Sequence, residues 1–322
     1  MSGALLLVQV LNGLQLGVLL FLIAAGLTLV FGVLDLVNLA HGTQYMLGAY
    51  LAVTFAGWTG SFAAGLVLAA LGALAIGFVL ERLVFRALLV GFVLERLVFA
   101  ALLERSHLDQ VLATYGLILL LEEAAKTIWG AAPLSLPMPA LLSGTLKLTD
   151  DLAYPVYRLF LLGAGIVVAV MLWILIEHTR GGMRLRAGAS DATMLNALGV
   201  DTGRLFALVL ACGAMLAGFA GAMAAPLVSV EAGMGGPVLI LAFVVIVLGG
   251  TGSVLGALIG ALLVGLTDTF GRFVLAEALR SALGASAARQ AGPALASMLI
   301  YLLMAIVLAF RPQGLLPAAG RT

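Results

Sequence analysis

Long apolar runs, several of about 18 residues or more with hardly a charge among them, constrain the folding of this chain more than any other feature. Such a run has no water to satisfy its peptide groups inside a hydrocarbon layer of ~30 Å, so it must bond to itself as a helix. Composition agrees: 63% of residues are hydrophobic, 10% are charged and the mean hydropathy is +1.22, which leaves too little polar surface to cover a globule in water. The expected fold class is all-α, a polytopic integral membrane protein with a single transmembrane domain over residues 1–322.

The apolar periodicity predicts spans over Leu6–Val30, Val33–Phe55, Phe62–Phe85, Leu108–Ile128, Leu159–Ile176, Leu205–Val228 and Met298–Phe310. The stretch Pro237–Val274 has enough apolar residues for two spans, but Gly249-Gly250-Thr251-Gly252 interrupts it, leaving a re-entrant pair or one long tilted helix open. The expected count is eight or nine helices. Arg82, Arg86, Arg96 and Arg105 fall in one loop, and Arg180, Arg184, Arg186 and Arg204 in another. Lys and Arg mark the cytoplasmic side of short loops, so both are read as cytoplasmic. The segment 129–157, flanked by Lys126, Lys147 and Arg158 and rich in proline, is then an external, non-helical connection. Met1–Leu5 has no basic residue and is read as the start of a first span, not a cleaved signal.

Several functions are excluded by missing chemistry. Phosphate binding by a P-loop needs Gly-x-x-x-x-Gly-Lys-Ser/Thr, and neither Lys126 nor Lys147 sits in that setting. His41, His107 and His178 lie on three separate segments, and no His-Glu-x-x-His occurs. No catalytic, cofactor or metal site is expected. Cys212 is the only cysteine, so an intrachain disulfide is impossible. A net charge of +1 without a long basic run gives no case for nucleic acid.

The loop 179–204 carries the strongest signal for a partner. Ser190 suits a helix N-cap, Ala192, Leu195 and Leu198 fall at helical spacing on one face, and Gly199 suits the position just past a helix end. A helix of about nine residues is too short to stand alone in water and needs a surface. That surface is a protein or, in the plainer reading, the lipid headgroups beside Arg180, Arg184 and Arg186. Asn38, His41 and Gln44 are polar groups at membrane depth in three-residue steps that one helical face holds. They either line a passage or tie a broken helix together, with Gly42 and Gly48 allowing close packing. Asp35 joins that cluster or marks a span end. Gly252, Gly256 and Gly260 form a small-residue ridge for helix packing, and Ala214, Gly218 and Ala222 form another.

These stretches carry a resemblance. The loop ending Ala-Leu-Gly-Val, followed by Asp201-Thr202-Gly203-Arg204, resembles the coupling loop of permeases in the branched-chain amino acid ABC importer family. Asn12-Gly13 through Gly17, Gly26 through Gly32 and Asn38-Leu39-Ala40-His41-Gly42 are similar to its N-terminal signature. Leu248-Gly249-Gly250-Thr251-Gly252-Ser253 and Arg311-Pro312-Gln313-Gly314-Leu315 are similar to its late glycine-rich segment and its C-terminal end. The resemblance implies a multi-pass permease subunit of a bacterial inner membrane that imports a small solute. Leucine, isoleucine and valine are the usual cargo, with urea, short amides or other amino acids carried by relatives. It also implies a second, homologous permease subunit, a periplasmic solute-binding protein and two cytoplasmic ATP-binding subunits, which would hold the ATP and Mg that this chain does not. On that reading a charge at Leu195 or an arginine at Gly199 uncouples transport. An ion-gradient-driven transporter is the reading from another class, with Asp35, His41 and Asp268 as its intramembrane ionisable groups. One departure from the family is a tandem copy within 77–104: GFVLERLVF at 77–85 recurs at 91–99. The extra unit either extends the third helix or lies at the cytoplasmic interface.

Overall fold

A computed structural model describes residues 3–34, 38–80, 107–149 and 152–316. The apolar runs are helical, as their length and composition require: α1 (Gly3–Leu34), α2 (His41–Thr59), α3 (Phe62–Leu80), α4 (His107–Trp129), α5 (Val156–His178), α6 (Arg180–Ser190), α7 (Ala192–Ala197), α8 (Thr202–Ala224), α9 (Gly235–Gly249), α10 (Val254–Leu283) and α11 (Ala285–Phe310). Among the described residues, five stretches are long and apolar enough to cross a membrane: Leu5–Leu34, Phe62–Leu80, Val156–His178, Thr202–Ala224 and Val254–Ser281. Gly235–Gly249 and Ala294–Phe310 are shorter apolar helices.

Several boundaries differ from the sequence expectation, the largest shift being α11, which begins at Ala285 rather than Met298. The second helix begins at His41 rather than Val33, because α1 continues to Leu34 before the chain breaks. The eighth ends at Ala224 rather than Val228. Pro237–Val274 is two helices, α9 and α10, with the break at Gly250–Ser253, where Gly250 and Gly252 take φ of 105° and 80° that other residues rarely adopt. Asp35 and most of the tandem copy at 77–104 lie outside the described residues; only Gly77–Leu80 is seen, closing α3.

The chain divides into two compact units. One comprises residues 25–137 and 174–239. Here α2, α3 and α8 meet along small residues. A Cβ placed on Gly48 would lie 2.1 Å from the Gly218 carbonyl oxygen, and one on Gly221 would lie 1.9 Å from that of Tyr45. One on Gly77 would lie 2.7 Å from the Ala214 Cβ. Lipid tails are as apolar as leucine, so helices gain little by merely hiding side chains from them, and close backbone approach supplies the dispersion contact instead. Met46, Tyr50, Ala69, Ala125, Leu136 and Ala222 fill the cluster beside this seam. Trp129 at the end of α4 stacks on Tyr50 with ring centroids 4.9 Å apart and donates its indole N–H to Thr54 Oγ1 at 2.8 Å. Thr54→Val strands that donor and is expected to lower stability by about 1 kcal/mol, read as a reduced Tm of the detergent-purified protein.

The other unit comprises residues 1–24, 138–173 and 240–322. Its axis is α10. Gly249 and Gly256 press α9 against α10, a Cβ on Gly249 falling 2.2 Å from the Gly256 carbonyl oxygen. Gly265 sits as closely on α1, its Cβ position 2.4 Å from the Gly13 oxygen. After α11 the chain turns at Gly314 (φ 85°), and the N–H groups of Leu315 and Leu316 donate to the Leu248 and Gly249 carbonyls, each at 2.9 Å. This strap satisfies two carbonyls that the end of α9 would otherwise leave open. The segment 129–157 contains a hairpin that the proline content had concealed: β1 (Thr145–Thr149) pairs antiparallel with β2 (Leu152–Pro155), with a bulge between Lys147 and Thr149. Buried Tyr154 donates its hydroxyl to Asn12 Oδ1 at 3.1 Å, and Arg158 donates to the same oxygen.

Candidate functional site

The loop 179–204 is more helical than its glycines suggest. Thr179 caps α6, its Oγ1 accepting from the Gly182 N–H at 3.0 Å. Gly182 is needed at that point: a Cβ there would meet the Ile176 carbonyl oxygen at 2.1 Å, because α6 folds straight back on the end of α5. Arg186 donates to the Ile176 carbonyl and pairs with Glu177 at 3.5 Å, so it fastens α6 to α5. Arg180 and Arg184 are exposed and make no ion pair among the described residues.

The sequence reading of the following helix needs correcting. Ser190 is the last residue of α6 and not a cap; Asp191 is the N-cap of α7, its carboxylate accepting from the Met194 N–H at 2.8 Å. The helix is six residues long, Ala192–Ala197. Both side chains are good caps, but Thr179 starts a helix early enough to absorb Ser190. Ala192, Leu195 and Leu198 do not share one outward face. Leu195 is buried, its Cδ2 3.3 Å from where a Gly188 Cβ would stand, while Leu198 is 74% exposed and Met194 58% exposed. Gly199 ends the turn with φ 87°, its N–H donating to Asn196 O at 2.9 Å, which matches the position read from sequence. Asp201 then caps α8 through the Arg204 N–H at 3.0 Å. The loop is thus two short helices that present Met183, Met194 and Leu198 outward with Arg180 and Arg184.

The polar cluster lies in the same unit. Asn38 precedes α2 and is not on its helical face; its Oδ1 accepts from the Ala40 N–H at 3.0 Å across the break that follows α1. His41 is fully buried, and its imidazole lies where a Cβ on Gly26 would come within 3.0 Å. The same Cβ position would lie 2.7 Å from the Gly213 carbonyl oxygen of α8, so Gly26 leaves room both for the ring and for the close approach of α1 to α8. Gly42 abuts the first residue of α9, its Cβ position 2.6 Å from Gly235 O. Gln44 is buried with Oε1 unpartnered among the described residues. Asn38→Leu removes the acceptor for a buried N–H and is expected to cost about 1–2 kcal/mol, measured as a Tm shift.

Gly256 and Gly260 are packing residues, as their spacing predicts, the latter's Cβ position 2.7 Å from Val245 O. Gly252 is not part of that ridge: it is in the turn before α10, which Ser253 caps through the Gly256 N–H at 3.0 Å. A four-residue spacing is the same on a helix and across its cap, so sequence alone does not separate them. Sequence reasoning missed Gly249 and Gly265 as close-approach positions; it singled out Asp268 as an intramembrane ionisable group but missed its pairing with Arg272, whose i, i+4 spacing inside an apolar helix was the available signal.

Several apolar helices long enough to cross a bilayer, seamed by glycine, define a polytopic α-helical membrane protein. The chain belongs to the family of branched-chain amino acid transport system permease components, whose model matches residues 9–308. Among curated proteins it is 28% identical to the high-affinity branched-chain amino acid transport system permease protein BraD of Pseudomonas aeruginosa, over 96% of this chain and 94% of that one. It is 29% identical to the corresponding LivH protein of Escherichia coli, over 81% of this chain and 84% of the relative. A probable LivH of Methanocaldococcus jannaschii is 28% identical, over 81% and 79%. No solved structure matches. The chain is accordingly a membrane-embedded permease subunit and not an enzyme.

Proposed function

We propose that this chain is one transmembrane half of an ATP-driven importer in a bacterial inner membrane and that its cargo is a branched-chain amino acid. The observation that carries the reading is the helix pair α6–α7, which holds itself against the chain through Gly182, Gly188, Leu195 and Arg186 while Met194 and Leu198 stay exposed. Isolated methionine and leucine side chains on a short cationic helix pair fit a groove on another protein. A cytoplasmic ATPase is that partner in this reading, and the family described above supports it. Two ATPase subunits would hold ATP and Mg, a second homologous permease subunit would complete the passage, and a periplasmic protein would deliver the solute. Nucleotide and loaded binding protein each favour one arrangement of the helices, and transport is the cycle between them. Asn38, His41, Gly42 and Gln44 serve here to hold the α1–α2 break, since all are enclosed by protein. Gly256 and Gly260 serve to seat α9 on α10.

Reconstitution tests this directly. Proteoliposomes with the complete set of subunits accumulate leucine only when ATP and the binding protein are both present. Accumulation by this chain alone, driven by a proton or sodium gradient, overturns the proposal, and ATP-driven uptake of urea or short amides in place of leucine overturns the cargo.

A further inference from the structure

Midway along α10 lies a carboxylate that packing does not explain. Asp268 is 6% exposed; its Oδ2 accepts from Arg272 Nε at 2.8 Å, and its Oδ1 is buried without a hydrogen-bond partner among the described residues. Charge at this depth in an apolar helix is costly and is kept where it meets a partner, a cavity or a solute. One Arg N–H bond leaves half of the carboxylate unanswered, and a half-satisfied buried polar group is worse for stability than an apolar side chain. Asp268 is therefore poorly accounted for as a fold-stabilising residue.

Its surroundings define where it points. Gly265, three residues earlier, presses on α1, and Gly271, three residues later, faces α11, with Leu299 Cδ1 2.9 Å from its Cβ position. At roughly 100° of rotation per residue, Asp268 is aimed between those two directions, towards the seam where α1 and α11 flank α10. Arg272 lies one turn further on the same side, with its side chain 54% exposed. Its terminal N–H groups have no hydrogen bond or ion pair to a described residue. Asp268 thus keeps a buried, unanswered carboxylate oxygen and, one turn on, Arg272 keeps exposed guanidinium donors.

We infer that Asp268 and Arg272 form a binding point for the α-ammonium and α-carboxylate groups of an amino acid, Asp268 Oδ1 accepting from the ammonium and the terminal N–H groups of Arg272 donating to the carboxylate. A free amino acid carries both charges on one carbon, so a carboxylate and a guanidinium already joined to each other, Arg272 Nε to Asp268 Oδ2 at 2.8 Å, present the complementary pair side by side. The guanidinium suits the planar carboxylate. The apolar walls of α1, α10 and α11 suit an aliphatic side chain. The inference rests on the amino-acid cargo proposed above and places recognition of its common backbone charges within this chain.

The test uses the permease–ATPase complex in nanodiscs without the binding protein. Radiolabelled leucine is competed by leucine, by leucinamide, which lacks the carboxylate, and by 4-methylpentanoate, which lacks the ammonium. The wild-type complex is expected to prefer leucine at least ~10-fold over either analogue, a discrimination that one charged contact supplies. Asp268→Asn is expected to erase the preference over 4-methylpentanoate, and Arg272→Gln the preference over leucinamide. A merely structural ion pair would shift all three ligands together, and the exchanged variant D268R/R272D would restore wild-type behaviour. Retained discrimination in D268N or rescue by the exchange overturns the inference, as does a wild-type complex that transports leucine without binding it in this assay. If D268N does not assemble, R272Q, with its half-exposed side chain, is decisive in the same assay. A complete importer that moves no leucine at all rejects the cargo reading instead.

Discussion

Gly48→Leu leaves no folded protein to purify. The Cβ alone would stand 2.1 Å from the Gly218 oxygen and 2.2 Å from its Cα, and both are backbone atoms that no rotamer change can move aside. α2 and α8 must part, and the contact of Gly221 with Tyr45 O parts with them. Overpacking usually costs about 1–3 kcal/mol when neighbours can yield; here they cannot, so a loss beyond that range is expected. Gly116→Leu is the control, since nothing lies within 4 Å of its Cβ position. Fluorescence-detected size exclusion and thermal unfolding in detergent read both. A monodisperse G48L with the wild-type Tm would contradict the seam.

Charge on the exposed tips of the loop stops transport without harming the fold. In Met194→Asp/Leu198→Asp the new carboxylates are solvated in the isolated chain, where those side chains are 58% and 74% exposed, so the Tm stays put. Against an apolar groove on the ATPase the same carboxylates lose hydration, and uptake falls by roughly 10-fold or more, as when hot-spot residues are removed. ATP hydrolysis then no longer responds to the loaded binding protein. Leu195→Asp behaves differently, because Leu195 is buried beside Gly188, the glycine that Leu205 and Phe206 also approach. It places an unpaired charge inside the loop and lowers the Tm. Normal uptake by the double variant moves the ATPase contact elsewhere.

The contrast between Leu195 and Leu198 shows how far sequence alone reaches. Apolar length and scarcity of charge were enough to locate α3, α4, α5 and α8 within a few residues, because a lipid-exposed run has only one way to satisfy its backbone. The same signal was silent at the breaks. Val33 and Leu34 continue the apolar run, so nothing marked α1 as ending at Leu34 and α2 as starting at His41. α6 went unread because Gly181 and Gly182 are weak helix formers, and the close approach of Gly182 to Ile176 that requires one of them is a tertiary fact. Gly199 was legible since a helix end needs a left-handed residue wherever it occurs. Whether Leu195 turns inward depends on the gap at Gly188, which Leu205 and Phe206 of the next helix also border. The polar trio at 38–44 was visible as a cost, and its burial, with Gly26 beside His41, became visible only with the fold.

The strap at Gly314–Leu316 imposes an order on biogenesis. The carbonyls of Leu248 and Gly249 leave the ribosome more than sixty residues ahead of the N–H groups that answer them. Until Leu315 and Leu316 emerge, those two carbonyls at the end of α9 lack their partners, so the α9–α10 corner is expected to be the last part of its unit to set. A stalled nascent chain lacking those residues should show that corner open to protease or to hydrogen exchange, with the α1–α10 seam already closed.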